Sequence, residues 1–300
     1  MHNHPRLSAL LLAAVFALLL LYPDTAAQGV RDALTLSIQV LAPSLFPFFV
    51  CSDLFVRLGL CSRLSARLRR PAAGLLRLPP AAAGALLLGL VGGYPAGAQA
   101  VQQLYARGEL TRADADRAAA ICNQAGPSFF FGFLGGAVFR SPRLGLLLFV
   151  AQLASVLLVC RITGKRLPPD SSPVSSPSPS PPFGATFCTS VITAGQNLLH
   201  VCMFVTVFGV AARYLLAVCG GMPGAVKAII LGGIELTNGC AVLQNAPISL
   251  PFRLIIASGL VSFGGICVME QSNVGGNYLL YRLLQAGLSA SITFFLSLFV

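Results

Sequence analysis

Few residues in this chain combine a reactive side chain with an apolar setting, and those few bound what it can do. Glu235 stands inside LGGIELTNG, an otherwise apolar run. A carboxylate at membrane depth is costly, so one that is kept there is a functional candidate by default. The bland alternative is an acid held protonated by Thr237 or a backbone carbonyl. Asp53 and Glu270 lie near the ends of apolar segments, where an interfacial position accounts for them equally well. His200 follows Asn197 by one helical turn and is either a buried, satisfied histidine or a titrating partner.

A second set of candidates is neutral. Gln99, Gln102, Gln103, Asn123, Gln124, Gln196, Asn197, Asn238, Gln244 and Asn245 punctuate apolar sequence. An amide offers donors and acceptors without the cost of a charge, which suits a polar organic solute. The competing use is helix–helix adhesion, worth about 0.6 kcal/mol per contact on average. Amides beside a glycine break are expected to face a cavity, which favours Asn123, Gln124 and Asn238.

Hydrolytic and metal chemistry have no support. There is no GxSxG, no HExxH, no CxxC pair, and two of the three histidines, His2 and His4, lie in the N-terminal tail. No cofactor is expected, and no enzyme activity. The nine cysteines sit mostly inside apolar runs, where a thiol behaves as a small hydrophobe.

These residues must be positioned by membrane helices. The 300 residues are 56% hydrophobic and 10% charged, against roughly 25% charged in soluble domains. The net charge of +11 does not indicate nucleic acid, because the arginines cluster beside apolar segments as the positive-inside rule expects. Six arginines and no acid lie between Arg57 and Arg77, reading as an inner loop near anionic lipid.

Two apolar segments are interrupted where a plain span needs no interruption. LGLVGGYPAGAQA (88–100) carries Gly92, Gly93, Pro95 and Gly97, and LGGIELTNGCAVL (231–243) carries Gly239. A third break falls at Asn123-Gln124-Ala125-Gly126-Pro127. Paired interrupted segments in two halves point to a transporter's binding site. Backbone released from a helix at that depth persists only beside protein or water. Short helices are expected to restart at Gly97, Pro127 and Gly239, with N-termini that attract anions.

Residues 7–22 read as an uncleaved helix, with a signal peptide as the alternative. Residues 30–56 read as a span kinked or broken near Ser44 by Pro43 and Pro47. Residues 78–105 read as a re-entrant hairpin, and 118–139 and 144–160 as spans. PPDSSPVSSPSPSPP (168–182) reads as a tether that cannot bury itself. Its surroundings divide the chain into a first membrane half (1–164), a disordered linker (165–184) and a second membrane half (185–300). Each half has a long polar-interrupted helix, a broken hairpin, a glycine-containing helix and a plain helix. The expected fold is all-α: a polytopic integral membrane protein with two inverted repeats, each containing a re-entrant or broken helical hairpin.

GLVGGYPAGAQAV (89–101), ICNQAGPSFFFGFLG (121–135) and ELTNG (235–239) resemble the YlbJ-type sporulation integral membrane proteins, of the nucleoside recognition or Gate domain group. The resemblance implies a transporter-like protein in a bacterial cell membrane, associated with dipicolinic acid movement during spore formation. It carries over onto Gly93, Pro95, Gly97, Asn123, Gly126, Pro127, Glu235, Asn238 and Gly239. Together with the residue reading, it gives a substrate-binding set of Gly93, Pro95, Gly97, Gln99, Asn123, Gln124, Gly126, Pro127, Asn238 and Gly239. Glu235 and His200 are the expected coupling residues, serving a proton or sodium. The expected partners are a small solute, membrane lipid and a second copy of the chain, with no nucleic acid. A nucleoside-like solute or a non-transporting scaffold are the alternatives.

Overall fold

The computed structural model describes residues 5–58, 74–106, 108–164, 182–218, 221–272 and 276–299. The arginine-rich stretch 59–73 and the expected linker, apart from its last residues 182–184, lie outside the described residues. Among the described residues there are helices and no strands. Five helices are long and apolar enough to cross a membrane: Pro23–Phe55, Pro142–Thr163, Phe183–Ala217, Leu250–Ser272 and Tyr278–Ser297. The protein is a multi-pass integral membrane protein.

The first long element is built from α2 (Pro23–Leu36), a π-helical turn (Ser37–Leu41) and α3 (Ala42–Arg57), after a separate α1 (Pro5–Leu21). The expected break near Ser44 does not occur. The wide turn just before Pro43 absorbs the ring, and the Ser44 hydroxyl donates to the Val40 and Leu41 carbonyls at 2.6 and 3.2 Å. The helix continues through both prolines. It also starts earlier than expected, because Pro23 suits the first helical position and Asp24 the first turn.

Two short helices follow, α4 (Ala83–Gly92) and α5 (Ala96–Ala106). At about 1.5 Å per residue, α4 spans only half of a hydrocarbon core of about 30 Å. The chain turns at Gly93, whose φ of 79° favours glycine. Next, α6 (Arg112–Cys122) starts from a Thr111 cap whose hydroxyl accepts the Asp114 N–H. It stops at Asn123, and a π-helix (Ser128–Val138) resumes after Pro127. The plain helix α7 (Pro142–Thr163) closes this half.

The second half has the same succession. A continuous helix α8 (Phe183–Val218) is followed by the pair α9 (Gly224–Ile234) and α10 (Leu236–Leu243). A broken span comes next, α11 (Leu250–Phe263) and α12 (Gly265–Ser272), then α13 (Tyr278–Ser297). Helix α8 begins at Phe183, inside the edge of the expected linker. It runs antiparallel to α2–α3: Arg57 donates to Thr193 at 2.9 Å, and Arg213 lies 3.5 Å from Asp32.

The hairpins enter from opposite ends. Before the first, Arg77 donates to carbonyls of Arg161 and Gly164 at the C-terminal end of α7. At the base of the second, Gln244 donates at 3.3 Å to Ala137, just before the start of α7. Both tips therefore reach the middle of the molecule.

A short helix restarts at Ala96, next to Gly97 as expected, whereas Gly239 lies within a helix that began at Leu236, and both glycines serve packing. Gly97 sits inside the first turn of α5, and a Cβ there would overlap the Cys122 carbonyl. Gly239 lies within α10 and presses on the backbone of Gly232 in α9. Close approach of apolar helices in lipid depends on such small residues. Gly239→Ala is therefore expected to destabilise the protein by about 1–3 kcal/mol, read as a lower thermal midpoint in detergent. Gly233→Ala, where a Cβ meets nothing within 4 Å, should leave the midpoint unchanged or raise it.

Candidate functional site

Four helices stop or restart inside the protein, and their ends determine the site. In the second hairpin the break falls at Glu235 (φ −139°, ψ 116°), not at Asn238-Gly239. An extended residue needs no glycine. Glu235 caps α10: its carboxylate accepts the backbone N–H groups of Thr237 and Asn238 at 2.9 and 2.7 Å, and the Asn238 side-chain amide at 2.9 Å. All three partners are donors, and the side chain is 3% exposed. A carboxylate at a helix N-terminus meets both the free N–H groups and the positive end of the helix dipole.

The opposite ends are held by a cation. Arg282 in α13 is fully buried. Its Nη1 donates to the Asn123 carbonyl at 2.8 Å, at the end of α6, and its Nε to the Phe263 carbonyl at 3.0 Å, at the end of α11. Further bonds reach Gln285 at 2.9 Å and the Tyr94 hydroxyl at 2.8 Å. Tyr94, at the tip of the first hairpin, donates at 2.5 Å to Val261. A cation at two helix C-termini is stabilised by the carbonyls and by both dipoles. Arg282 thus ties the two broken spans and the first hairpin tip together.

The breaks cross in pairs. Gly93 meets Gly126 backbone to backbone, and Gly265 meets the Gly232 and Ile234 carbonyls and the Leu236 nitrogen. Between them lies a chamber of about 70 Å³, whose walls include Gly93, Gly126, Ser128, Glu235, Thr237 and Cys267. Helix N-termini converge here: the π-helix at Ser128, α10 at Leu236 and α12 at Gly265, with α5 at Ala96 beside them. A vestibule of about 430 Å³ adjoins the chamber, sharing Phe49, Gly92, Tyr94, Val201 and Gln271 with it. Pro95, Gln99, Asn197, His200, Asp53 and Glu270 line that vestibule. At the other end of the α2–α3/α8 pair, a cavity of about 290 Å³ lies between Asp32, Arg213 and Asn238. Glu235 faces one side, and the Asn238 that it holds faces the other.

The expected site residues therefore separate. Gly93, Gly126 and Glu235 line the chamber, with Pro127 next to its wall. Pro95, Gln99 and His200 line the vestibule, and Asn238 lines the opposite cavity. Asn123 and Gln124 are buried and directed into the protein. Asn123 donates to Ser272 and Tyr278 at 2.8 and 2.7 Å, and Gln124 exchanges hydrogen bonds with Gln285 at 3.1 and 2.7 Å. Asp53 is paired with Arg57 at 2.5 Å. Gly97 and Gly239 pack against backbone. Among the described residues no group of three His, Cys, Asp or Glu side chains forms a metal site.

Arg282 escaped the sequence reading because it lies only four residues into the last span. The signal was present: Arg282, Gln285, Ser289, Thr293 and Ser297 recur at spacings of three and four, and all are buried. This helix turns its polar stripe inward. Arg282→Gln is expected to cost at least about 3 kcal/mol in unfolding, since several hydrogen bonds to a charged group go at once. Tyr94→Phe should cost about 1–2 kcal/mol. Thermal unfolding of both variants in detergent checks this order.

The chain is 25% identical over 309 aligned positions to the sporulation integral membrane protein YlbJ of Bacillus subtilis (strain 168), covering 90% of this chain and 76% of the relative. This similarity supports a YlbJ-type assignment and, with the apolar helices, a sporulation membrane protein. No family model and no solved structure matches.

Proposed function

We propose that this YlbJ-type membrane protein transports a small polar solute, an organic anion such as dipicolinic acid, during spore formation. The observation that carries the reading is the convergence of half-helix N-termini on one chamber, with cavities on both sides of it. Such N-termini attract anions through free N–H donors and aligned dipoles. Discontinuous helices that meet near the membrane midplane are the usual construction of secondary-transporter sites. The two hairpins entering from opposite ends, and the antiparallel long helices, support two inverted repeats of the Gate type. The vestibule is large enough for a small organic acid, and the chamber only for its leading group or an ion.

The anion cannot share the chamber with a second negative charge at no cost. Glu235 already occupies one N-terminus, and Asp53 and Glu270 line the approach. Like charges in so small a space oppose each other strongly. We assign Glu235 to coupling, with a proton or sodium ion neutralising it as the solute enters, and His200 to the vestibule side of that path.

Uptake into proteoliposomes is the test. Dipicolinate flux that responds to an imposed pH or sodium gradient is the expected result. Flux of a nucleoside instead would retain a transporter with a different solute. No flux of either solute by folded protein would favour a membrane scaffold. Glu235→Gln keeps the side-chain volume and is expected to retain membrane insertion but lose the pH dependence of uptake. An unchanged pH profile would make Glu235 a helix cap alone.

A further inference from the structure

A second place in the molecule holds cations without counter-charges among the described residues, and it lies away from the chamber. Arg117, at the middle of α6, is 7% exposed, and its Nη1 is buried with no hydrogen-bond partner among the described residues. Its Nη2 donates to the Arg77 carbonyl. Arg77, just before the first hairpin, has a φ of 49°, a left-handed conformation that is unfavourable for a residue with a side chain. Leu78 beside it is fully buried and pins that backbone in place. The Nη1 of Arg77 donates to the Arg161 and Gly164 carbonyls at 2.9 and 3.1 Å, while its buried Nε has no partner. Gly164 brings the two side chains together: a Cβ there would lie 2.5 Å from the Arg77 Cβ and 2.9 Å from the Arg117 Nη1.

The acids on the same helix are committed elsewhere. Asp114 accepts from Thr111 at 2.8 Å, and Asp116 pairs with Arg112 at 3.1 Å. Two guanidinium groups therefore sit at the C-terminal end of α7, each with a buried N–H unsatisfied and no carboxylate bonded to either among the described residues. Leaving a charged donor unpaired out of water is among the costlier arrangements a fold can keep. The backbone conformation at Arg77 shows that the fold holds this pair in place. The end of a spanning helix lies at headgroup depth, and the arginine-rich sequence that follows Arg57 marks this end as the inner one.

We propose that Arg77 and Arg117 form a binding site for a phosphate-bearing anion at the inner membrane surface. A phosphoryl group presents several strong acceptor oxygens that match two guanidinium forks. The group comes from either an anionic phospholipid headgroup or free phosphate, and the chemistry at the arginines is the same.

Thermal unfolding of the purified full chain in detergent separates these sources. The readout is a thiol-reactive dye that reaches buried Cys122, Cys160, Cys240 and Cys267 on unfolding. At fixed ionic strength, added phosphatidylglycerol is expected to raise the midpoint by about 3 °C or more over added phosphatidylcholine. Inorganic phosphate raising the midpoint to the same extent would identify the free anion as a ligand of the same arginines. Arg77→Gln and Arg117→Lys should each lose at least half of the shift. Arg213→Gln, an exposed cation at the other end of the molecule, should keep all of it. A shift that is equal in wild type and Arg77→Gln, or absent from wild type with both probes, would overturn the site.

Discussion

The organisation of this protein follows from one constraint: backbone polar groups freed at membrane depth must find partners inside the protein. Several helices end inside the protein, as at the buried Asn123 and Glu235. The two sides of that problem receive opposite charges. The anionic Glu235 takes up N–H groups at the start of α10, and the cationic Arg282 takes up carbonyls at the ends of α6 and α11. Each charge is stabilised by the dipole that it terminates. The broken helices keep Arg282 solvated where water would otherwise be needed, and Arg282 keeps them broken. Neither residue needs the other as an ion-pair partner.

Glycine then determines how closely these ends can meet. The crossings of Gly93 with Gly126, and of Gly265 with the turn before Leu236, bring backbone against backbone. Only at such distances do helix N-termini from the second hairpin and both broken spans share one small chamber, with that of the first hairpin beside it. Gly89, Gly97, Gly232 and Gly239 do the same along the hairpin arms, where the two helices of each pair lie against one another. The site is therefore a product of small residues at contacts. The amides that sequence alone favoured contribute mostly as adhesive: Asn123 and Gln124 tie α6 to α12 and α13.

Much of this was readable before any coordinates. Gly93 and Pro95 in one segment, and Gly126 with Pro127 in the next, can hardly sit within a regular apolar helix, so those breaks fall where expected. The break at Glu235 was displaced toward Gly239, because extended backbone leaves no mark on residue type, whereas glycine in a packed interface looks the same as glycine in a turn. Of the kink or break expected near Ser44, the break is absent for a related reason. A π turn and one serine hydroxyl absorb a proline without any change in hydropathy. Arg282 was hidden by its place near the start of a span, where an arginine ordinarily reaches the headgroups. Only the polar repeat behind it, running through Gln285 to Ser297, says that this side of the helix faces protein.

The pair formed by α2–α3 and α8 also has a length that matters. Helix α8 has 36 residues, about 54 Å at 1.5 Å per residue, while a hydrocarbon core is about 30 Å thick. Large apolar side chains are exposed along it from Phe183 to Val207, at about 36 Å already more than that thickness. Mismatch of this sign is relieved by tilting or by local thickening of the bilayer, at fractions of a kcal/mol per Å. Either response depends on the thickness of the surrounding lipid. Because Phe49, Asn197 and His200 on this pair form one wall of the vestibule, the acyl-chain length of the surrounding lipid bears mechanically on the width of the entrance.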